Sequence, residues 1–171
     1  LPIFNTALAP NWRKSGIDIL NREIKKQVYD DGGQYELDLG YHGGCIGIFS
    51  NALNMAKVNG YGKEFPDSYA NTIKKMMMFS INTYFPDYTF PCFSDAKRAK
   101  PFSLVRNYQR WSELFPEDEQ LRYFATQGKK GKQPTWLCHA SANSGFFTFR
   151  NGWGQDATVM ILKADRKSTR L

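Results

Sequence analysis

The sequence has 171 residues, 42% of them hydrophobic, enough for one domain with a real core or for parts of two. No apolar run could span a bilayer, and the opening LPIFNTALAPNWRKSG lacks the basic-then-apolar pattern of a signal peptide. The net charge of +7 fits an acidic partner, yet three of those cations sit in the final RKSTRL, and without them the excess is only +4, which suits an ordinary soluble surface equally well.

The first residue is not Met, so the sequence reads as an internal piece of a longer protein. Residues 11–29 predict an amphipathic helix, with Ile17, Leu20, Ile24 and Val28 at helical spacing and Lys25 and Lys26 on the other side. DDGG ends it. GGQYELDLGYHGG, residues 32–44, follows; it is too rich in glycine for a helix interior and reads as an irregular segment. CIGIFSNALNMAKVNG predicts a second helix with Ile46, Phe49, Leu53 and Met55 inward, closed by Asn59 and Gly60. A third spans about 67–84, with Tyr69, Ile73, Met76, Met77 and Ile81 inward; the methionine cluster reads as core filling. Pro86, Pro91 and Pro101 make FPDYTFPCFSDAKRAKP a loop. Two weaker helices are expected near 103–114 and 117–126.

The polar QGKKGKQPT supplies the clearest boundary, a linker at 128–134. It lacks the spacing of a phosphate-binding loop. Beyond it the hydrophobic period changes to two, predicting a β-hairpin with strands near 145–151 and 158–164. Helices first and strands afterwards argue for two packed units of an α+β protein. Residues 166–171 follow abruptly and read as a non-native tail. Cys45, Cys92 and Cys138 form no CxxC pair; buried free thiols are expected, with one disulfide and one free thiol as the alternative.

Four sets of residues carry candidate chemistry. Tyr41 and His42, a phenol beside an imidazole, could both face a cleft, the phenol exchanging a proton as base and acid. Their structural reading is a tyrosine bonded to backbone and a histidine capping the next helix. Glu36 and Asp38 would share one face of an extended strand, as an acid/base pair for glycoside hydrolysis requires; otherwise they are a solvated loop edge. His139 sits near Ser141 and Ser144, but no G-x-S-x-G elbow exists and a structural role is expected. RNYQRW, residues 106–111, could stack on sugars, though a helix with its Tyr and Trp packed inward is the plainer reading.

In combination, three stretches resemble the heparinase II/III-like polysaccharide lyases of the alginate lyase and heparinase III type. ILNREIKKQVYDDGGQYELDLGYH resembles the segment in which a helix ends in Gln and Asp-Gly and is followed by a Glu and a Tyr-His pair. FPDYTFPCFSDA resembles the family's proline-rich loop, and SGFFTFRNGWGQDATVMILKA its first sandwich hairpin, with R-x-G-W closing an aromatic strand. The resemblance covers residues 4–165. It implies an α+β multidomain fold: the C-terminal part of an α/α toroid (a helical barrel) over 1–127, and the start of an antiparallel β-sandwich over 135–165.

The activity it implies is β-elimination on a uronate-containing polysaccharide, either a heparan-sulfate-like glycosaminoglycan or alginate. Tyr41 would be the acid/base residue with His42 in support, and Gln34 and Glu36 would contact substrate. The implied partner is an acidic polysaccharide, with neither nucleic acid nor membrane, and the implied location periplasmic or secreted. No metal ligand is expected in these residues; a divalent Zn or Ca would belong to the sandwich beyond Asp165. The group that neutralises the uronate and a second catalytic histidine would also lie outside this stretch, so turnover is not expected from it alone. A non-catalytic acidic-glycan-binding module and a toroidal glycoside hydrolase are the competing readings.

Overall fold

The computed structural model describes residues 9–164. Helices come first: α1 (Ala9–Gln27), α2 (Leu39–Val58), α3 (Asp67–Asn82), α4 (Val105–Leu114) and α5 (Glu119–Ala125), with a short 3-10 turn at Gly62–Glu64. Three strands follow, β1 (Cys138–Ser141), β2 (Phe146–Arg150) and β3 (Val159–Lys163), in one antiparallel sheet of order β1-β2-β3. The hairpin expected from the sequence is β2–β3, paired Phe146 to Lys163 through Arg150 to Val159. The short β1 was not expected: it has only four residues and one of them, Ser141, is buried, too little for a visible alternation. The proposed tail lies outside the described residues.

Helix ends follow from their local chemistry. Lys25 and Lys26 occupy the last turn of α1, where cations suit the negative end of the helix dipole. Gly32, at φ +90°, makes the turn that follows. The Oδ1 of Asp118 accepts from the backbone N–H groups of Gln120 and Leu121 at 3.0 Å each, capping α5, and its Oδ2 takes Lys74 Nζ at 2.8 Å.

Helix α3 is the spine of the core. Tyr69, Ile73, Met76, Met77 and Ile81 are all buried, so the methionines are core filling as expected. Helix α2 packs on α3, and α4 on α5. In α2, Ile46, Phe49 and Leu53 point inward as the periodicity predicts, but Met55 is exposed. The cysteines are free as expected, yet only Cys45 is half-buried; Cys92 and Cys138 are exposed, because each sits where the chain leaves the core for a loop or the sheet's open face.

The sheet and helices share that core. Tyr84, Tyr88, Tyr108, Phe124 and Trp153 meet edge to face, tilted or stacked at 5.0–6.5 Å between centroids. Phe146 of β2 meets Phe79 of α3 at 5.4 Å. The connector is not a free tether either: Lys132 N–H bonds to the Glu119 carbonyl of α5 at 3.0 Å.

Candidate active site

The irregular segment expected over 32–44 ends earlier than its glycines suggest. Asp38 is the N-cap of α2, its Oδ1 accepting from Tyr41 N–H at 2.9 Å. Tyr41, His42, Gly43 and Gly44 are therefore helical, in the first two turns. The cap offsets about one helical glycine, and burial of Leu39, Ile46, Phe49 and Leu53 on the same helix carries the rest. The cap is Asp38 and not His42.

Helix geometry then separates the Tyr-His pair by about 100° of rotation. Tyr41 points outward, 52% exposed, and among the described residues its hydroxyl has no protein partner. His42 points inward, 2% exposed. Its Nε2 lies 2.9 Å from the Met76 carbonyl oxygen of α3, and its ring meets Phe79 at 5.0 Å. Burial pushes its pKa down to about 4, against the smaller opposing effect of that carbonyl. The imidazole is thus neutral at pH 7, and the Met76 carbonyl requires Nε2 to carry the proton. The two residues share no cleft face; His42 pins α2 to α3 beneath Tyr41.

Gln34 and Glu36 belong to the turn before α2. Gln34 is buried, paired with Val28 in an isolated bridge, and its Oε1 accepts from Glu36 N–H at 3.0 Å. Glu36 is half-buried. Leu37 takes φ +57°, so the segment is not the extended strand that would align Glu36 with Asp38. With Asp38 buried and committed to its cap, the carboxylate pair expected for glycoside hydrolysis is not formed.

The other candidates are structural. Ser144 is buried, its N–H and Oγ both donating to Asp31 Oδ2 at 2.8 and 3.0 Å. Asp31 Oδ1 also accepts from Gly33 N–H, so one carboxylate ties the turn after α1 to the sheet. His139 is half-buried and lines a separate groove with Asp31, Lys74 and Lys75. Tyr108 and Trp111 of RNYQRW are packed in the core. Among the described residues no three His, Cys, Asp or Glu side chains gather to hold a metal ion, and no helix is long and apolar enough to cross a membrane.

Sequence reasoning passed over Arg150. Only 7% exposed, it lies 3.8 Å from the Trp153 ring centroid and donates through Nη2 to the carbonyls of Asn82 and Tyr84, at the end of α3. A cation there complements the helix C-terminus, and a desolvated cation–π contact adds about 2 kcal/mol. Trp136 Nε1–H bonds to Asn82 Oδ1 and Trp153 Nε1–H to the Trp136 carbonyl, completing the junction. R-x-G-W was visible in the sequence as a strand ending; its lock on α3 was not, since Asn82 is 68 residues away.

Known proteins share this fold. The family model described as Heparinase II/III N-terminus matches residues 1–123. A heparin-sulfate lyase of Bacteroides stercoris is 53% identical over 167 residues, covering 98% of this chain and 25% of that protein. A solved heparan sulfate lyase from Pedobacter heparinus superposes with TM-score 0.88 at 45% identity, covering 93% of this chain and 24% of that one. A solved heparinase III gives TM-score 0.88 at 56% identity over 92% of this chain, again a quarter of its own length. The chain spans about a quarter of each of these relatives. With the family model covering well over half of its residues, the chain belongs to the heparinase II/III family.

Proposed function

We propose that these residues form one wall of the active site of a polysaccharide lyase acting by β-elimination on a heparan-sulfate-type glycosaminoglycan. The observation that carries this reading is Tyr41: a tyrosine in the first turns of α2, with its phenol open to solvent and its backbone fixed by the Asp38 cap, in a chain of this family. The relatives' names favour heparan sulfate over alginate.

The chemistry asks for one group that moves protons. The phenolate of Tyr41 removes the C5 proton of a uronate, the electron pair forms the C4–C5 double bond, and the C4–O bond breaks. The phenol then returns the proton to the departing oxygen, leaving one unsaturated uronate and one new reducing end. Charge building on the uronate carboxylate needs neutralising donors, which this reading assigns to other segments of the full-length protein, together with any Zn or Ca ion. His42 acts as a positioning residue: being neutral and bonded to Met76, it fixes the helix that presents Tyr41. Glu36 remains a candidate substrate contact, and buried Gln34 acts through Glu36's backbone. The reading carries with it a periplasmic or secreted location.

In the full-length protein, Tyr41→Phe should lower kcat by about a hundredfold, the usual scale for a lost general acid/base, while KM changes little. Ultraviolet absorbance of the unsaturated product reports the rate. A Phe variant that works at near-native speed makes Tyr41 structural. Product from alginate but not heparan sulfate would move the substrate assignment, and chain cleavage without new absorbance would indicate hydrolysis.

A further inference from the structure

Arg150 is a costly residue to bury. It has no Asp or Glu ion-pair partner among the described residues. Its Nη1 is buried with no hydrogen-bond partner among them either. Burial pushes its pKa below the ordinary arginine value. If its task were only to fill space beside Trp153, a methionine would do so without taking a charge out of water. What the guanidinium adds is a fixed position. Nη2 donates to the Asn82 carbonyl at 3.0 Å and to the Tyr84 carbonyl at 3.4 Å. The Trp153 and Tyr84 rings lie 3.8 and 5.4 Å away. A rigid planar fork held by two carbonyls and two aromatic rings has little freedom to slide.

The contacts continue from there toward Tyr41. Asn82 is the last residue of α3. Met76 lies six residues earlier, about 9 Å along the same helix. Its carbonyl takes His42 Nε2 at 2.9 Å, and His42 follows Tyr41 in the first turns of α2. Asn82 is held a second time, its Oδ1 accepting from Trp136 Nε1–H at 2.9 Å. Strand β2 is fixed at its other end as well, where Ser144 donates to Asp31. Sheet and α3 thus form one frame, with an unbroken strut from Arg150 through the end of α3 and Met76 to His42.

We propose that Arg150 is a positioning residue for the reaction: by fixing the end of α3 against the sheet, it sets where α2 presents the Tyr41 phenol. The inference rests on the proposed lyase reading and deepens it. That reading places the neutralising donors on other segments, so proton transfer needs the phenol held in a frame common to both. A shift of 1 Å in a reacting group costs up to about a hundredfold in rate. Arg150 touches no substrate and acts only through α3 and His42.

Contact along a path is not itself energetic coupling, so the decisive measurement pairs two variants in the full-length protein. Formation of unsaturated uronate from heparan sulfate is followed well below every melting temperature. Arg150→Met should lower kcat about tenfold and leave KM within about twofold. Arg150→Lys, which keeps the charge but loses the fork, should recover only part of that rate. Asp118→Ala removes the α5 cap away from the strut and should keep native kcat despite its lower melting temperature. Arg150→Met combined with His42→Gln should fall no further than the worse single variant, since both break one strut. Native kcat in Arg150→Met overturns the proposal, as does an equal loss in Asp118→Ala or a multiplied loss in the double variant. Should the Met variant not fold, native kcat in Arg150→Lys overturns it. A parent that makes no unsaturated product overturns the lyase reading and this inference with it; an active parent with an indifferent Arg150 overturns the inference alone.

Discussion

A side chain on Gly32 would run into the Lys75 carbonyl of α3, and one on Gly33 would sit 2.6 Å from the Ser144 side chain. Eleven positions on, a side chain on Gly43 or Gly44 would touch nothing. The sequence writes these as the same dipeptide, bracketing one short segment. The first pair is glycine because the turn after α1 is wedged between α3 and Ser144, with Asp31 tying the turn to the sheet side. The second pair sits in regular helix, in the open. The expectation of an irregular segment running through both pairs, with Tyr41 and His42 facing one cleft, therefore holds only around the first pair, and only Tyr41 is exposed. A glycine demanded by its neighbours is evidence about folding. A glycine with free room around it, in a helix that would be steadier without it, is not explained by the folding of these residues.

That contrast can be broken most sharply at Gly32. Gly32→Ala combines a φ that disfavours a side chain with collision against fixed backbone, and should cost about 4 kcal/mol or prevent folding. Denaturant unfolding measures it; a loss under 1 kcal/mol would mean the turn relocates freely and the contrast between the pairs is false.

The floor beneath the second pair gives the next largest effect. His42 is neutral when folded, with a pKa near 4, and has an ordinary value near 6.5 when unfolded. The unfolded state therefore binds more protons as the pH falls between those values. Stability from this residue is complete above about 6.5 and is lost on acidification through about 4, in total about 3 kcal/mol. His139, also pushed down by burial, adds in the same direction. Melting curves from pH 7 to 4.5 should fall, and His42→Gln should flatten that fall. An equally steep slope in the variant would place the effect elsewhere.

The smallest effect carries the opposite sign. Gly44→Ala, at an exposed helical position with open space, should stabilise by about 0.5–1 kcal/mol. Destabilisation would show that the helix is held open by contacts outside residues 9–164.

Much of the fold was legible because it depends on local repetition. α1, α2 and α3 announce themselves through apolar residues three and four apart, and β2 and β3 through alternation. The N-terminus of α2 was misplaced because glycine content spoke louder than the cap signal of Asp38 followed by an apolar residue. Met55 looked inward by period alone, although helix α2 has little partner on that side.

For the site, residue order placed Tyr41 and His42 side by side and suggested a common task. What order cannot contain is rotation about the helix: only the docking of α2 on α3 decided that the phenol faces solvent and the imidazole faces Met76. Likewise the sequence by itself determined that Arg150 closes a strand and that Asp31 follows a helix, since both depend on neighbours a few residues away. Tertiary structure alone decided that Arg150 caps α3 and that Asp31 binds Ser144, because those partners lie 68 and 113 residues off and meet only when sheet and helices close around one core. Hydrophobic period is written along the chain; the pairing of buried polar groups is settled where the elements dock, by the cost of leaving any of them without a partner.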